Sequence, residues 1–213
     1  DAEQGTDTWI KKVQVEESRM FFGLDAVEQV LASGVDVVIL TTPPGFRPAH
    51  LRLAVEAGKH VFCEKPPGRT LKDIERMQEA ERKNPGTKLM FGFNHRYHPG
   101  VLKAKAIVDS GRMGKVIALR GLYGKSGGNY FSKSWRNDLE TSGGGILLDQ
   151  GIHMLDLFNI FLGRFTSVKS FLSNSQWGFE VEDNAVIILK NDKDQLGLLH
   201  SSATFWKHMF QLN

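Results

Sequence analysis

The chain has one cysteine, Cys63, so no disulfide can form within it. That excludes a disulfide-stapled secreted scaffold and fits a reducing cytosol. It has no internal repeat and no low-complexity tract. It also lacks a surplus of one charge: 27 Lys and Arg stand against 24 Asp and Glu, leaving +3. These charges are scattered, so neither nucleic acid nor an acidic membrane is an expected partner despite a pI near 9.0. The longest apolar stretch, Gly145 to Leu162, is broken by Asp149, His153 and Asp156 and falls short of the ~20 uninterrupted apolar residues of a membrane span. No membrane helix is expected. The first residues, Asp1 to Gly5, carry neither an initiator Met nor a basic-then-apolar signal, as in a processed product or a fragment.

What is present is the composition of a folded globular protein, 41% hydrophobic and 24% charged. Its 213 residues allow one large domain or two small ones. Residues 1 to 24 carry no clear pattern, whereas Asp25 followed by an apolar stripe at Val27, Val30 and Leu31 predicts a short helix with an acidic N-cap, closing at Gly34. Val35 to Leu40 is a β-branched run ending in Thr41-Thr42-Pro43-Pro44, the pattern of a buried parallel strand running into a loop. Helix and strand then alternate. Pro48 to Ala57 and Leu71 to Lys83 are helical in pattern, His60 to Cys63 and Lys88 to Phe93 strand-like, which predicts a parallel sheet with right-handed crossovers. After Asn94 the order changes. A helix over Pro99 to Ser110 and a strand over Val116 to Tyr123 lead through a Gly- and aromatic-rich loop to an apolar helix, 145 to 162. Ser167 to Leu172, Asn184 to Lys190 and Gln195 to Thr204 then follow as strands without intervening helices, predicting a mainly antiparallel sheet. The fold class is thus α/β plus α+β, divided into residues 1–94 and 95–213.

Chemistry is expected where parallel strands end, because strand ends and helix N-termini converge there. Thr41-Thr42-Pro43 occupies one such end and Glu64-Lys65-Pro66 the next. Taken alone, each reads equally well as a plain connecting loop or a solvated turn. A lysine placed at a strand end can stabilise negative charge developing on an oxygen, and a cis Lys65-Pro66 bond would fix its direction. Cys63 reads as a small buried hydrophobe, since no activating partner is adjacent. On a helix, Asp149, His153 and Asp156 fall at i, i+4 and i+7 and share one otherwise apolar face, where ionisable groups need compensation. Asp149 beside His153 can orient an imidazole, Gly151 leaves room for a ligand, and Asp156 reads as a structural cap. A metal at this spacing is the weaker reading without further ligands nearby. His95, after Asn94 at a strand end, is undecided, and the other histidines have structural defaults.

Together, Val37 to Pro44, His50, Ala57 to Pro66, Gly92-Phe93-Asn94, Ser110 to Val116, Gly143-Gly144-Gly145 and Asp149-Gln150-Gly151-Ile152-His153 resemble the Gfo/Idh/MocA family of oxidoreductases in order and spacing. The resemblance implies a Rossmann domain binding NAD or NADP, then a domain whose open sheet supports a substrate pocket and a homo-oligomer interface. It implies that Lys65 contacts the reacting oxygen, that His153 acts as acid/base with Asp149 beside it, and that Thr41, Thr42, Pro43, Glu64, Lys65 and Asn94 line the cofactor. The substrate class it implies is a sugar, inositol or sugar derivative in the cytoplasm. One feature of the family is missing: residues 1 to 34 contain no G-x-G-x-x-G turn, which predicts that the chain lacks the first βαβ unit and, at its other end, further strands. The activity the resemblance implies is that of the parent protein.

The loop from Tyr123 to Arg136 offers rings and donors to a polyol, and its Lys125, Lys133 and Arg136 suit an acidic sugar or nucleotide-sugar, unless it is simply a solvated loop. Two rivals remain open at this point: a non-catalytic sugar-binding or regulatory relative, and a metal-dependent hydrolase or lyase using Asp149 and His153.

Overall fold

The computed structural model describes residues 14–127 and 134–213. The first part alternates helix and strand: α1 (Ala26–Ala32), β1 (Val37–Leu40), α2 (Arg47–Glu56), β2 (His60–Cys63), α3 (Leu71–Lys83) and β3 (Leu89–Phe91). The three strands pair in parallel, with β2 in the middle. Val38, Leu40, Val61 and Cys63 pack against Leu51, Ala54 and Val55 of α2 and Met77 and Ala80 of α3. The expectation of a wholly buried β1 needs correction, because the helices cover one face only and Val37 and Ile39 stay 55% and 65% exposed on the other.

Local chemistry explains the start of α3 but not that of α1. The Thr70 hydroxyl accepts the Asp73 amide at 3.2 Å while the Asp73 carboxylate accepts the Thr70 amide at 3.1 Å, a reciprocal cap on α3. Asp25 precedes α1 as expected but makes no cap bond. Its carboxylate is taken by the Gln29 side-chain amide at 2.9 Å.

A 3₁₀ turn (Asn94–Tyr97) and α4 (Pro99–Asp109) lead to the second sheet, built from β4 (Ala118–Gly124), β5 (Phe165–Ser173), β6 (Asn184–Asn191), β7 (Leu196–Ser202) and β8 (Met209–Leu212). Its order is β5-β6-β7-β4-β8. Three of the four pairings are antiparallel; β4 with β7 is parallel. The β4 strand has no place in the first sheet, in line with the switch of pattern after Asn94.

The expected helix 145–162 is in fact composite. After the short α5 (Leu139–Ser142), a π-helical turn (Leu147–Gly151) runs into α6 (Ile152–Leu162). The run Leu139–Leu162 spans 24 residues, and an 18-residue window of it reaches mean hydropathy 1.2, enough by length and composition alone to cross a membrane. Here it forms the core of the second sheet. Met154, Leu157 and Phe158 are fully buried against Leu119, Ile187 and Leu199. Close approach is possible because β4 carries Gly121, where a Cβ would stand 2.4 Å from the Met154 side chain.

Candidate active site

Register in the first sheet sets Leu40 beside Cys63 and Cys63 beside Phe91, so the three strands end together. Their ends deliver Thr41, Thr42 and Pro43, then Glu64 and Lys65, then Asn94 to one edge. Thr41 and Asn94 are exposed and Thr42 and Pro43 half-buried. The Thr42 hydroxyl lies 3.3 Å from Nδ1 of His50, and Asn94 Oδ1 lies 3.0 Å from Nδ1 of His95. The Glu64 carboxylate accepts the Lys65 amide at 3.1 Å and packs over Gly92. The Lys65-Pro66 bond is cis, and the Pro66 carbonyl accepts from the buried Arg47 guanidinium. A groove of about 380 Å³ runs beside Leu40, Thr41 and Thr42, with Phe46, His50 and α1 as its other walls.

The π turn supplies the opposite side. Its N-terminal amides are satisfied by Glu182, whose carboxylate accepts Gly145 N at 2.9 Å and Leu147 N at 3.0 Å. Only glycine fits at 145, since a Cβ there would lie 2.1 Å from the Glu182 carbonyl oxygen. So held, the turn presents Asp149 to the strand end. Lys65 Nζ donates to the Asp149 main-chain oxygen and to Oδ1 at 3.2 Å, Lys125 Nζ to Oδ2 at 3.0 Å, and Arg136 Nε lies 3.5 Å from Oδ1. The space next to Gly151, expected to admit a ligand, is filled by Leu147 and Ser201.

Burial alone would raise the Asp149 carboxyl, but Lys65, Lys125 and Arg136 outweigh it and hold the group well below the usual carboxylate range. Burial lowers the Lys65 ammonium although Asp149 pulls the other way. His153, 4% exposed, is lowered to about 3 by burial, with Lys65 and His95 adding to the shift. Its imidazole is therefore neutral near pH 7. The buried Nδ1 of His153 has no hydrogen-bond partner among the described residues. Cys63 is wholly buried and its thiol pushed up to about 12 by burial, as suits a packing residue.

Of the residues singled out from the sequence, Lys65, Asp149 and His153 converge, and Asp156 turns away to an ion pair in which Arg96 Nε donates to its Oδ2 at 2.7 Å. Sequence reasoning left His95 undecided. Its ring centre lies 4.1 Å from that of His153 and 5.3 Å from that of Tyr123. The available signal was its place directly after Asn94 at a strand end. Lys133 and the rest of 128–133 lie outside the described residues. Among the described residues no three His, Cys, Asp or Glu side chains gather to hold a metal.

Parallel strands ending at one edge, where a lysine meets a carboxylate of the second domain near a neutral imidazole, are the site of an α/β enzyme class that binds its ligand at strand ends. Two family models place it further: residues 8–93 match an oxidoreductase family with an NAD-binding Rossmann fold, and residues 101–212 match the Gfo/Idh/MocA C-terminal domain. The chain belongs to the Gfo/Idh/MocA oxidoreductase family. It is similar to the D-glucoside 3-dehydrogenase of Escherichia coli, 36% identical over 156 residues, which cover 71% of this chain and 42% of that one. Among solved structures it resembles the aldose-aldose oxidoreductase of Caulobacter crescentus complexed with glycerol, with TM-score 0.83 and 28% identity over 94% of this chain and 60% of that one. A levoglucosan dehydrogenase in complex with NADH and levoglucosan is similar at TM-score 0.81 and 25% identity, covering 87% and 53%. The matches span about a quarter to a half of the length of the curated relatives.

Proposed function

We propose that this chain forms the reaction centre of an NAD(P)-dependent oxidoreductase that moves a hydride between the cofactor and a hydroxyl-bearing carbon of a sugar, inositol or related polyol. The observation that carries this reading is the meeting of Lys65, Asp149 and a neutral His153 at the ends of parallel strands. When bound, the nicotinamide supplies the hydride acceptor or donor. Thr41 and Thr42 border the strand-end groove and, with Pro43, Glu64 and Asn94 at the same strand ends, would hold the cofactor's reactive end. The groove beside Thr41 and Thr42 and the unpartnered Nδ1 of buried His153 fit that assignment.

In the oxidation direction His153 accepts the hydroxyl proton, and the Lys65 ammonium stabilises the developing alkoxide. Asp149 keeps Lys65 charged and pointed at the substrate, and its own ionisation is assured by the cations around it. In reduction the same groups run backwards, with His153 returning the proton. This reading divides the chain into a cofactor part, residues 1–94, and a substrate part, residues 95–213. It places the protein in the cytoplasm, where the free thiol of Cys63 stays reduced, with copies associating through the second sheet. That sheet has an outward face of Phe171, Val186, Ile188, Leu196 and Leu198, between 38% and 83% exposed. Relatives named as dehydrogenases of D-glucosides, levoglucosan and inositol support the substrate class. The test is reduced-nicotinamide absorbance on mixing the protein with NAD or NADP and a panel of sugars and inositols. Appearance of reduced cofactor with a polyol is the expected result; none with any polyol and either cofactor contradicts the reading.

A further inference from the structure

Asp149 does not orient the imidazole of His153. Among the described residues the hydrogen bonds on its carboxylate come from Lys65, Lys125 and the Gln150 side-chain amide, with Arg136 at 3.5 Å, and none comes from His153. The buried Nδ1 of His153, the atom that catalytic histidines commonly give to a carboxylate or carbonyl, has no partner among the described residues. A base must nevertheless be held in one direction to meet a hydroxyl proton. What touches this ring is other rings: His95 at 4.1 Å between centres and tilted by 40°, then Phe93 and Tyr123, each at 6.1 Å.

His95 is itself fixed by its neighbours. Asn94 Oδ1, which can only accept, lies 3.0 Å from its Nδ1, so that nitrogen carries the proton. Tyr123 of β4 and Phe210 of β8 lie 5.3 and 5.1 Å from its ring centre. The next residue, Arg96, donates from Nε and Nη2 to the two carboxylate oxygens of Asp156, three residues beyond His153 on α6. This two-bond pair ties the turn Asn94–Tyr97, which leaves the first sheet, to the helix that carries the base.

Resting on the oxidoreductase reading above, we propose that His95 is the positioning residue of His153, its stacked ring holding the base as a hydrogen-bonded carboxylate holds other catalytic histidines. It acts through His153 and takes no proton from the substrate. Stacking fixes the plane of the imidazole, leaves its edge to the hydroxyl and keeps water off the covered face. The shape of His95 matters here more than its charge. His95 is lowered by burial and by Lys65, His98 and His208, against Asp156, and His153 by burial, Lys65 and His95, against Asp149. Both rings are therefore neutral at pH 7, and a proton on one opposes a proton on the other. Tyr123, which lies against both, is raised by burial and stays neutral as well.

Substitutions that separate the ring from its polarity test this. His95→Phe keeps a flat ring, and His95→Gln keeps hydrogen-bonding groups without one. In turnover of the most active polyol, His95→Ala and His95→Gln should each lower kcat by roughly 10–10²-fold, the penalty of a displaced catalytic group, with KM within about threefold, and His95→Phe should recover most of the loss. Arg96→Met, which cuts the tie to α6 and alters neither ring, should lower kcat in the same sense by a smaller factor. Titration of the histidine ring nitrogens by NMR between pH 7 and pH 4 needs no turnover. His153 should stay largely neutral over this range in the unaltered protein and in His95→Phe, and take its proton about one pH unit higher in His95→Ala and His95→Gln, where water reaches the uncovered face. Unchanged kcat in His95→Ala, a loss expressed in KM with kcat intact, equal effects of Phe and Gln, or the same His153 titration in every variant would overturn the inference. If the unaltered protein turns over no polyol with NAD or NADP, the redox reading fails, and the titration alone decides whether His95 positions His153.

Discussion

His153 is neutral because it is buried beside an ammonium, and this has a consequence for stability as well as for chemistry. Its pKa falls from 6.5 to about 3 on folding, so between these values the unfolded chain binds a proton that the folded chain refuses. The contribution is intact above pH 6.5 and is lost as pH falls, at on the order of 1 kcal/mol per pH unit, until the folded pKa is reached. Urea unfolding at pH 7 and pH 5 should therefore show a smaller loss of stability in His153→Gln than in the unaltered protein. An equal loss in both would contradict the assigned environment. Lys65, Asp149 and His153 were legible in the sequence because a strand-end lysine and an i, i+4 acid–imidazole pair are local patterns. The His95 ring and the Lys125 and Arg136 contacts to Asp149 were not, because they form only when separate elements pack together.

Among the elements, α3 was read to the residue, Leu71 to Lys83, because its cap and its apolar stripe coincide. Thr70→Ala removes one half of the reciprocal cap and should cost ~1 kcal/mol in chemical denaturation; a change below a few tenths would show that Asp73 caps the helix alone. The π turn was not visible, since composition does not separate an i+5 from an i+4 hydrogen-bond register. Nor was the missing side-chain cap at Asp25, whose carboxylate had a competing partner in Gln29. Beyond the strand read over Gln195 to Thr204, β8 pairs along β4 from Gly121 to Gly124, a long-range contact that no local pattern announces. The apolar α6 joins the elements of the second sheet. Phe158→Ala should destabilise the protein by ~3–5 kcal/mol, because the fully buried ring loses both its transfer energy and its packing against Gly197 and Leu189. A loss near that of a surface substitution, read as a shift in the denaturation midpoint, would show that the site collapses around the gap.

At the scale of the molecule, two sheets each bury one face and leave another open. The fold class was legible because alternating elements give way to consecutive strands after Asn94, whereas the parallel β4–β7 pairing inside an otherwise antiparallel sheet was not. On the second sheet Phe171 pairs with Val186, and Ile188 with Leu198, forming a continuous apolar surface. Apolar patches of this kind mark association surfaces. Phe171→Glu combined with Ile188→Lys should shift the light-scattering mass toward a monomer, and an unchanged mass would show that copies do not associate through this face.

The central claim is that Lys65 and His153 share the chemistry of one hydride-transfer site. Steady-state turnover of the most active polyol, followed by nicotinamide absorbance, tests it most directly. Lys65→Met and His153→Ala should each lower kcat by ~10²–10⁴-fold, the range of a lost acid/base or charge-stabilising group, while cofactor affinity in His153→Ala stays close to that of the unaltered protein. Near-normal kcat in His153→Ala would contradict the account, whatever the fold.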